Sequence, residues 1–264
     1  MPNMNIPDFK KRFGVDAYIP ERDGILYKYF SIERGIQCIL QEALFFASPS
    51  QLNDSFELDV DKFKFEMSDK NINAFLNRIY PDSETERQVA FEKSKEHRNK
   101  VPAIMKMQLA KLRDSCGICC FTNDPVNKLM WAHYGQSDTG IVVGFHIPPY
   151  SFHLKDFFMM KVLYEEERSF IDYFNRSTAV FPLWAFVKNN EWAYENEIRA
   201  VKMDYNGLLK YQIESVREVH YGIKTNTDMI GRLESIMALK NYRSYKRFQI
   251  CHSTDSYGYK SNPF

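Results

Sequence analysis

Gly140-Ile-Val-Val-Gly-Phe-His-Ile147 is a run of β-branched and aromatic residues opened by a glycine, and it reads as a strand. Working outward from it, Gly117–Thr122 reads as a strand before it, with Asn127–Tyr134 (NKLMWAHY) as a short helix between the two. Lys161–Tyr164, Glu197–Met203 and Ser215–Tyr221 read as strands after it. Nearer the start, Ile25–Phe30 (ILYKYF) is a strand behind the Asp23-Gly24 turn. Ser31 caps a helix whose apolar positions Ile32, Ile36, Ile39 and Leu40 recur at i, i+4, i+7 and i+8, running to about Glu42. Leu44–Ala47 is a further strand, followed by the polar loop Ser48–Ser55. An inserted helical region spans about 66–114, with a stop at Pro81, a capping box at Ser83 and Glu86, and a charged run from Glu84 to Lys100 that reads as a solvated face. Asn226 caps a last helix, and the C-terminal helix and strand cover about 226–252 before a frayed tail. No repeat or linker interrupts 1–264, so the expectation is a single α+β domain on a split, mostly antiparallel sheet.

Composition narrows the function. The 264 residues carry 35 basic and 34 acidic side chains, so 35 − 34 = +1 and no overall charge bias marks a nucleic-acid or membrane binder. Met1–Asp16 lacks an apolar core for a secretory signal, and the longest apolar run, Ala179–Val187, contains Pro182 and is far too short to span a bilayer. A cytoplasmic protein with no membrane partner is expected. Five cysteines, an odd number with Cys116, Cys119 and Cys120 crowded together, fit reduced thiols on a buried strand better than disulfides. Half a zinc site is the other reading of that triplet, but no second ligand pair follows at suitable spacing, so no metal is expected. Dinucleotide-binding glycine motifs, the P-loop, the zincin helix and the hydrolase elbow are all missing.

The densest chemistry is Glu191-Trp-Ala-Tyr-Glu-Asn-Glu-Ile-Arg199. If the chain is extended from Tyr194, Glu195 and Glu197 share a face, an arrangement that repels unless solvated or given work such as stabilising a developing cation in glycosyl transfer. The competing reading pairs Glu197 with Arg199 or Lys202 at an exposed sheet edge. His133 sits beside Met130, Trp131 and Tyr134 on a helix with a core face and a polar tip. Tyr242-Arg-Ser-Tyr-Lys-Arg-Phe248 interleaves cations and aromatics, either as a single-stranded nucleic-acid surface or as a strand with alternating faces.

Five ordered pieces, Leu26–Ser31, Phe46–Glu57, Cys120–Thr122, Met130–Tyr134 with Gly140, and Trp192–Arg199, together with Val219–Gly222, resemble the bacterial DUF2971 family over about 26–222. That pattern is in turn similar to the ADP-ribosyltransferase fold, a split sheet that clamps NAD. The resemblance implies NAD as co-substrate. It sets Lys28, beside Tyr29, where such transferases have a ribose-binding histidine, and offers Phe121 or Tyr134 as the aromatic face for nicotinamide. It makes Glu197 catalytic, with Glu195 orienting or deprotonating the acceptor. Asn53, Asp54 and Glu57 fall near the cleft, and Trp131 and His133 wall it. It further implies a toxin or defence effector acting on a nucleic acid, perhaps RNA, or on a protein, with an antitoxin as a partner. A ligand-binding module without catalysis and an NAD hydrolase are the alternatives on the same fold.

Overall fold

The computed structural model describes residues 24–147, 157–174 and 184–264. The Met1–Asp16 segment and the start of the Ala179–Val187 run lie outside the described residues. The chain is α+β: among the described residues, eight strands form one sheet in the order β14-β13-β12-β5-β1-β4-β10-β6. These are β1 (Ile25–Phe30), β4 (Gly117–Thr122), β5 (Ile141–His146), β6 (Phe157–Lys161), β10 (Glu197–Lys202), β12 (Val216–Tyr221), β13 (Lys246–His252) and β14 (Tyr259–Pro263). Neighbours are antiparallel except β12 and β13, which run parallel across the connecting helix.

The sheet is joined unevenly. β1 pairs with β5 along its full length, from Ile25↔His146 to Phe30↔Ile141. Against β4, the register among the described residues is the one pair Tyr27↔Thr122. Past that point the two strands part, and the Lys28 Nζ crosses the opening to donate to the Cys120 carbonyl at 3.0 Å.

Helix α1 (Ile32–Gln41) begins where expected, with the Ser31 hydroxyl accepting from the Arg34 N–H, and ends at Glu42 in a left-handed cap. It and α6 (Thr227–Leu239), capped by Asn226, cover one sheet face. Leu26, Phe30, Phe121, Val143, Phe145 and Tyr221 meet Ile36, Ile39, Leu233 and Met237 there. Helices α2 (Asp69–Ile79), α3 (Glu84–Glu96) and α4 (Val101–Ser115) occupy the expected helical stretch. α3 buries none of its residues, consistent with its charge, whereas α4 sends Leu109 into a second core with Leu58, Ile118, Trp184, Phe186 and Val201. Period-two alternation along β10 turns Ile198 and Ala200 to the first core and Val201 to the second.

One sequence expectation changes, and one of two open readings falls away. The tail after β13 is not frayed: β14 pairs with β13 from His252↔Tyr259 to Phe248↔Pro263, and Ser261 bonds the buried His220. The Tyr242–Phe248 stretch does not form a stacking surface. Tyr242 is buried on Tyr211, Phe248 stacks on His220 at 4.6 Å, and Arg247 pairs with Glu234, so the aromatics turn inward, away from the cations.

Gly140 precedes β5 where the chain passes β1: a Cβ there would sit 2.1 Å from the Phe30 carbonyl oxygen. Backbone on both sides leaves no room to yield. Gly140→Ala is expected to lower the unfolding free energy by about 2 kcal/mol, measured as a shift in the urea midpoint at constant slope.

Candidate functional site

The opening between β1 and β4 leads into a cleft of about 910 Å³. Lys28 and Phe30 come from β1, Arg34 and Gln37 from α1, and Gln51, Leu52 and Asn53 from the loop after β2 (Ala43–Phe46). Cys120 and Phe121 come from β4, while His133, Tyr134 and Gln136 come from the end of α5 (Lys128–His133) and the turn beyond it. One end of the cleft is formed by Glu57, Lys188, Glu195 and Glu197.

That end is built around Arg199, which has no exposed surface. Its Nε donates to Glu197 Oε1 at 2.7 Å and its Nη2 to Glu197 Oε2 at 3.0 Å. A second fork binds Glu57, Nη1 to Oε2 at 2.6 Å and Nη2 to Oε1 at 2.7 Å, and Nη1 also donates to the Ala185 carbonyl at 2.7 Å. Each of the five N–H donors therefore has an acceptor, the condition under which a buried guanidinium is tolerated. Lys188, on β9 (Val187–Asn189), places its ammonium 2.7 Å from Glu195, 3.3 Å from Glu57 and 3.5 Å from Glu197, and 4.6 Å from the centre of the Trp192 ring.

Among the described residues this cluster holds three carboxylates and two cations, so a net negative charge faces the cleft when all are ionised. The carboxylates are not equivalent. Burial would raise the Glu197 carboxyl, but the charge and hydrogen bonds of Arg199, with Lys188 beyond, outweigh it and bring it down to about 2. Glu195 is held above the usual carboxylate range, because burial and the neighbouring Glu197 charge exceed the help it gets from Lys188. Burial also works against the Lys188 charge, yet the surrounding carboxylates keep its ammonium above the ordinary lysine value.

Local structure departs from the extended reading of 194–199. Asn190–Glu195 is a 3₁₀ turn, and Asn196 is left-handed at φ 42°, so β10 starts only at Glu197. Glu195 and Glu197 still meet, because both reach Lys188, but across a turn rather than along one strand face. The Arg199 pairing of Glu197 is present in a buried core and not at an exposed edge. Helix α5 is tied to this turn three times: Asn127 Nδ2 donates to the Tyr194 carbonyl at 2.8 Å, His133 Nδ1 lies 2.9 Å from the Tyr194 hydroxyl, and Tyr134 donates to Glu195 Oε1 at 2.5 Å. The Tyr164 hydroxyl accepts the Glu197 N–H at 2.9 Å.

The cleft thus brings together Lys28, Phe121, Tyr134, His133, Asn53, Glu195 and Glu197. Lys28 lies 5.8 Å from the centres of the Phe30 and Phe121 rings. Trp131 does not wall the cleft: it is wholly buried behind β1, with its indole N–H on the Pro125 carbonyl. Tyr29 borders the cleft, yet its ring packs edge-on against Trp131 and its hydroxyl donates to the Asp124 carbonyl, because its side chain alternates away from Lys28. Asp54 does not line the cleft and instead accepts the Phe56 N–H within its own loop. Cys116 and Cys119 are buried, and among the described residues no group of three His, Cys, Asp or Glu is arranged to hold a metal. No helix among them is long and apolar enough to cross a membrane. Sequence reasoning missed Lys188 and Tyr164; a lysine two residues after the apolar Trp184–Phe186 run was the available signal for the first.

The model of the family described as "Protein of unknown function (DUF2971)" matches residues 130–200, which run from α5 through the Glu195 turn into β10. No curated protein and no solved structure matches the chain.

Removing Arg199 leaves Lys188 alone against three buried carboxylates, so Arg199→Met is expected to cost about 3–5 kcal/mol in urea unfolding. Wild-type stability falls as pH drops from the ordinary glutamate value of 4.5 toward 2, where the native Glu197 takes its proton. In Arg199→Met the dependence inverts in this range: the variant gains on acidification, because protonation neutralises carboxylates that then have no guanidinium.

Proposed function

We propose that the chain is an NAD-dependent ADP-ribosyltransferase that works in the cleft between β1 and β4. The observation that carries the reading is the meeting of Lys28, Phe121, Tyr134 and Glu197 on one cleft of about 910 Å³, a volume in the range of ligand sites. With Glu195 ionised, the net negative charge at its end favours a ligand that is cationic there, as the pyridinium of NAD is, and favours the cation that forms as the glycosidic bond breaks.

In this reading the bond between ribose C1′ and the nicotinamide nitrogen breaks, its electron pair leaves with nicotinamide, and positive charge develops on the ribose. Glu197, ionised at any physiological pH because its carboxyl lies at about 2, is the fixed anion for that charge. The acceptor then bonds to C1′, and its proton passes to Glu195, whose raised pKa suits a general base. Tyr134 and Lys188 hold Glu195 in place. Lys28 would donate to ribose hydroxyls or diphosphate, and Phe121 and Tyr134 offer aromatic faces. The acceptor is a nucleic acid or a protein, in keeping with a toxin or defence effector restrained by an antitoxin.

One observation favours a second reading, a ligand-binding module without catalysis: both Glu197 oxygens are already engaged by Arg199. Labelled NAD separates the two. Transfer predicts nicotinamide release with label on a macromolecule, lost by about 10²–10³-fold in Glu197→Gln at a retained thermal midpoint. Activity should rise with pH as Glu195 deprotonates, with the midpoint above 4.5, and this limb should vanish in Glu195→Gln. Binding without release supports the second reading, and free ADP-ribose as sole product marks a hydrolase.

A further inference from the structure

The turn that joins α5 to β5 holds three successive non-glycine residues in the left-handed region: Gln136 at φ 53°, Ser137 at φ 54° and Asp138 at φ 72°. Each such residue costs free energy, and the arrangement persists only where its surroundings over-determine it. They do so here through the backbone and Asp138. The Gly140 N–H bonds the Gly135 carbonyl at 2.8 Å, the Lys224 N–H bonds the Asp138 carbonyl at 2.9 Å, and the Asp138 carboxylate takes Tyr259 and Lys224, both at 3.1 Å.

None of these ties uses the Gln136 side chain. Only its carbonyl oxygen is engaged, by the Thr139 hydroxyl and N–H, and its carboxamide has no partner among the described residues. Glycine or asparagine would serve the backbone at lower cost. Yet Gln136 is exposed and lines the cleft, two residues beyond the Tyr134 that holds Glu195. That placement leaves the Gln136 carboxamide within reach of a molecule bound in the cleft.

We propose that Gln136 is a specificity-determining residue, whose carboxamide pairs with a group on the bound ligand that offers a donor and an acceptor side by side. The chemistry fits a carboxamide or the edge of a purine, and NAD carries one at each end. This rests on the NAD reading above.

The test is calorimetric titration of the full chain with NAD, ADP-ribose and nicotinamide mononucleotide, with thermal unfolding in parallel. Gln136→Gly is expected to raise the thermal midpoint by about 2 °C, by releasing the left-handed penalty, while weakening NAD about tenfold. Gln136→Met keeps the length and the backbone constraint but loses the amide. It should leave the midpoint in place and weaken NAD to the same extent. If the partner is the nicotinamide amide, the Gln136→Met loss disappears with ADP-ribose. If it is the purine edge, the loss persists with ADP-ribose and disappears with nicotinamide mononucleotide, which has no purine. Wild-type affinity in either variant, no rise in the Gln136→Gly midpoint, or an equal loss across all three ligands overturns the proposal. A wild-type chain that fails to bind NAD removes the functional reading and this proposal with it. NAD binding in the wild type that Gln136 variants leave unchanged removes the proposal alone.

Discussion

A guanidinium with no exposed surface cannot exist without its full set of acceptors, and Arg199 has one for every N–H. Those acceptors come from separate parts of the chain: Glu57 from the loop after β2, Ala185 from the segment entering β9, and Glu197 from the first residue of β10. One cation therefore sets the position of three segments that share no local sequence. It also determines how the cleft ends, because the same two carboxylates border it. Lys188 extends the arrangement to Glu195 and places a second cation among the acids.

The cost of this cluster is the burial of several charges where a hydrophobic core would serve stability as well or better. Its geometry separates carboxyl groups of the same chemical type. Glu197, locked by Arg199, stays an anion, and Glu195, farther from the guanidinium and beside another carboxylate, is held toward its protonated form. Divergent environments for paired carboxyl groups are how proteins assign different proton duties to identical side chains. The opening of the sheet serves the same region. β1 leaves β4 after Tyr27↔Thr122, so the sheet has a seam at the cleft, and Lys28 spans it instead of a hydrogen-bond ladder.

Much of the local structure was legible. The caps Ser31, Ser83 and Asn226 each accept the backbone N–H groups that their sequence positions call for. The continuous apolar runs in Gly117–Thr122 and Gly140–Ile147 read as strands because both faces of the sheet there are buried. The reading of 194–199 erred on the turn: Asn196 adopts a left-handed conformation that asparagine tolerates, and a single residue of that kind ends the 3₁₀ turn and delays the strand. The resemblance places Trp131 on the cleft wall with His133, but a six-residue helix turns nearby positions to different sides, and its indole lies in the core. The cation and aromatic stretch at 242–248 was ambiguous for a related reason, since alternation says which residues share a face and not which face meets solvent.

Short-range physics in the chain therefore determined where helices and strands begin, which residues cap them, and that the molecule is α+β, because those outcomes depend on neighbours within a few positions. The partners of Arg199 and Lys188, the seam between β1 and β4, and the unlike protonation of Glu195 and Glu197 were decided by the tertiary structure. Charge interactions depend on distance and burial, and Glu57 and Arg199 are 142 positions apart in the chain yet 2.6 Å apart in space.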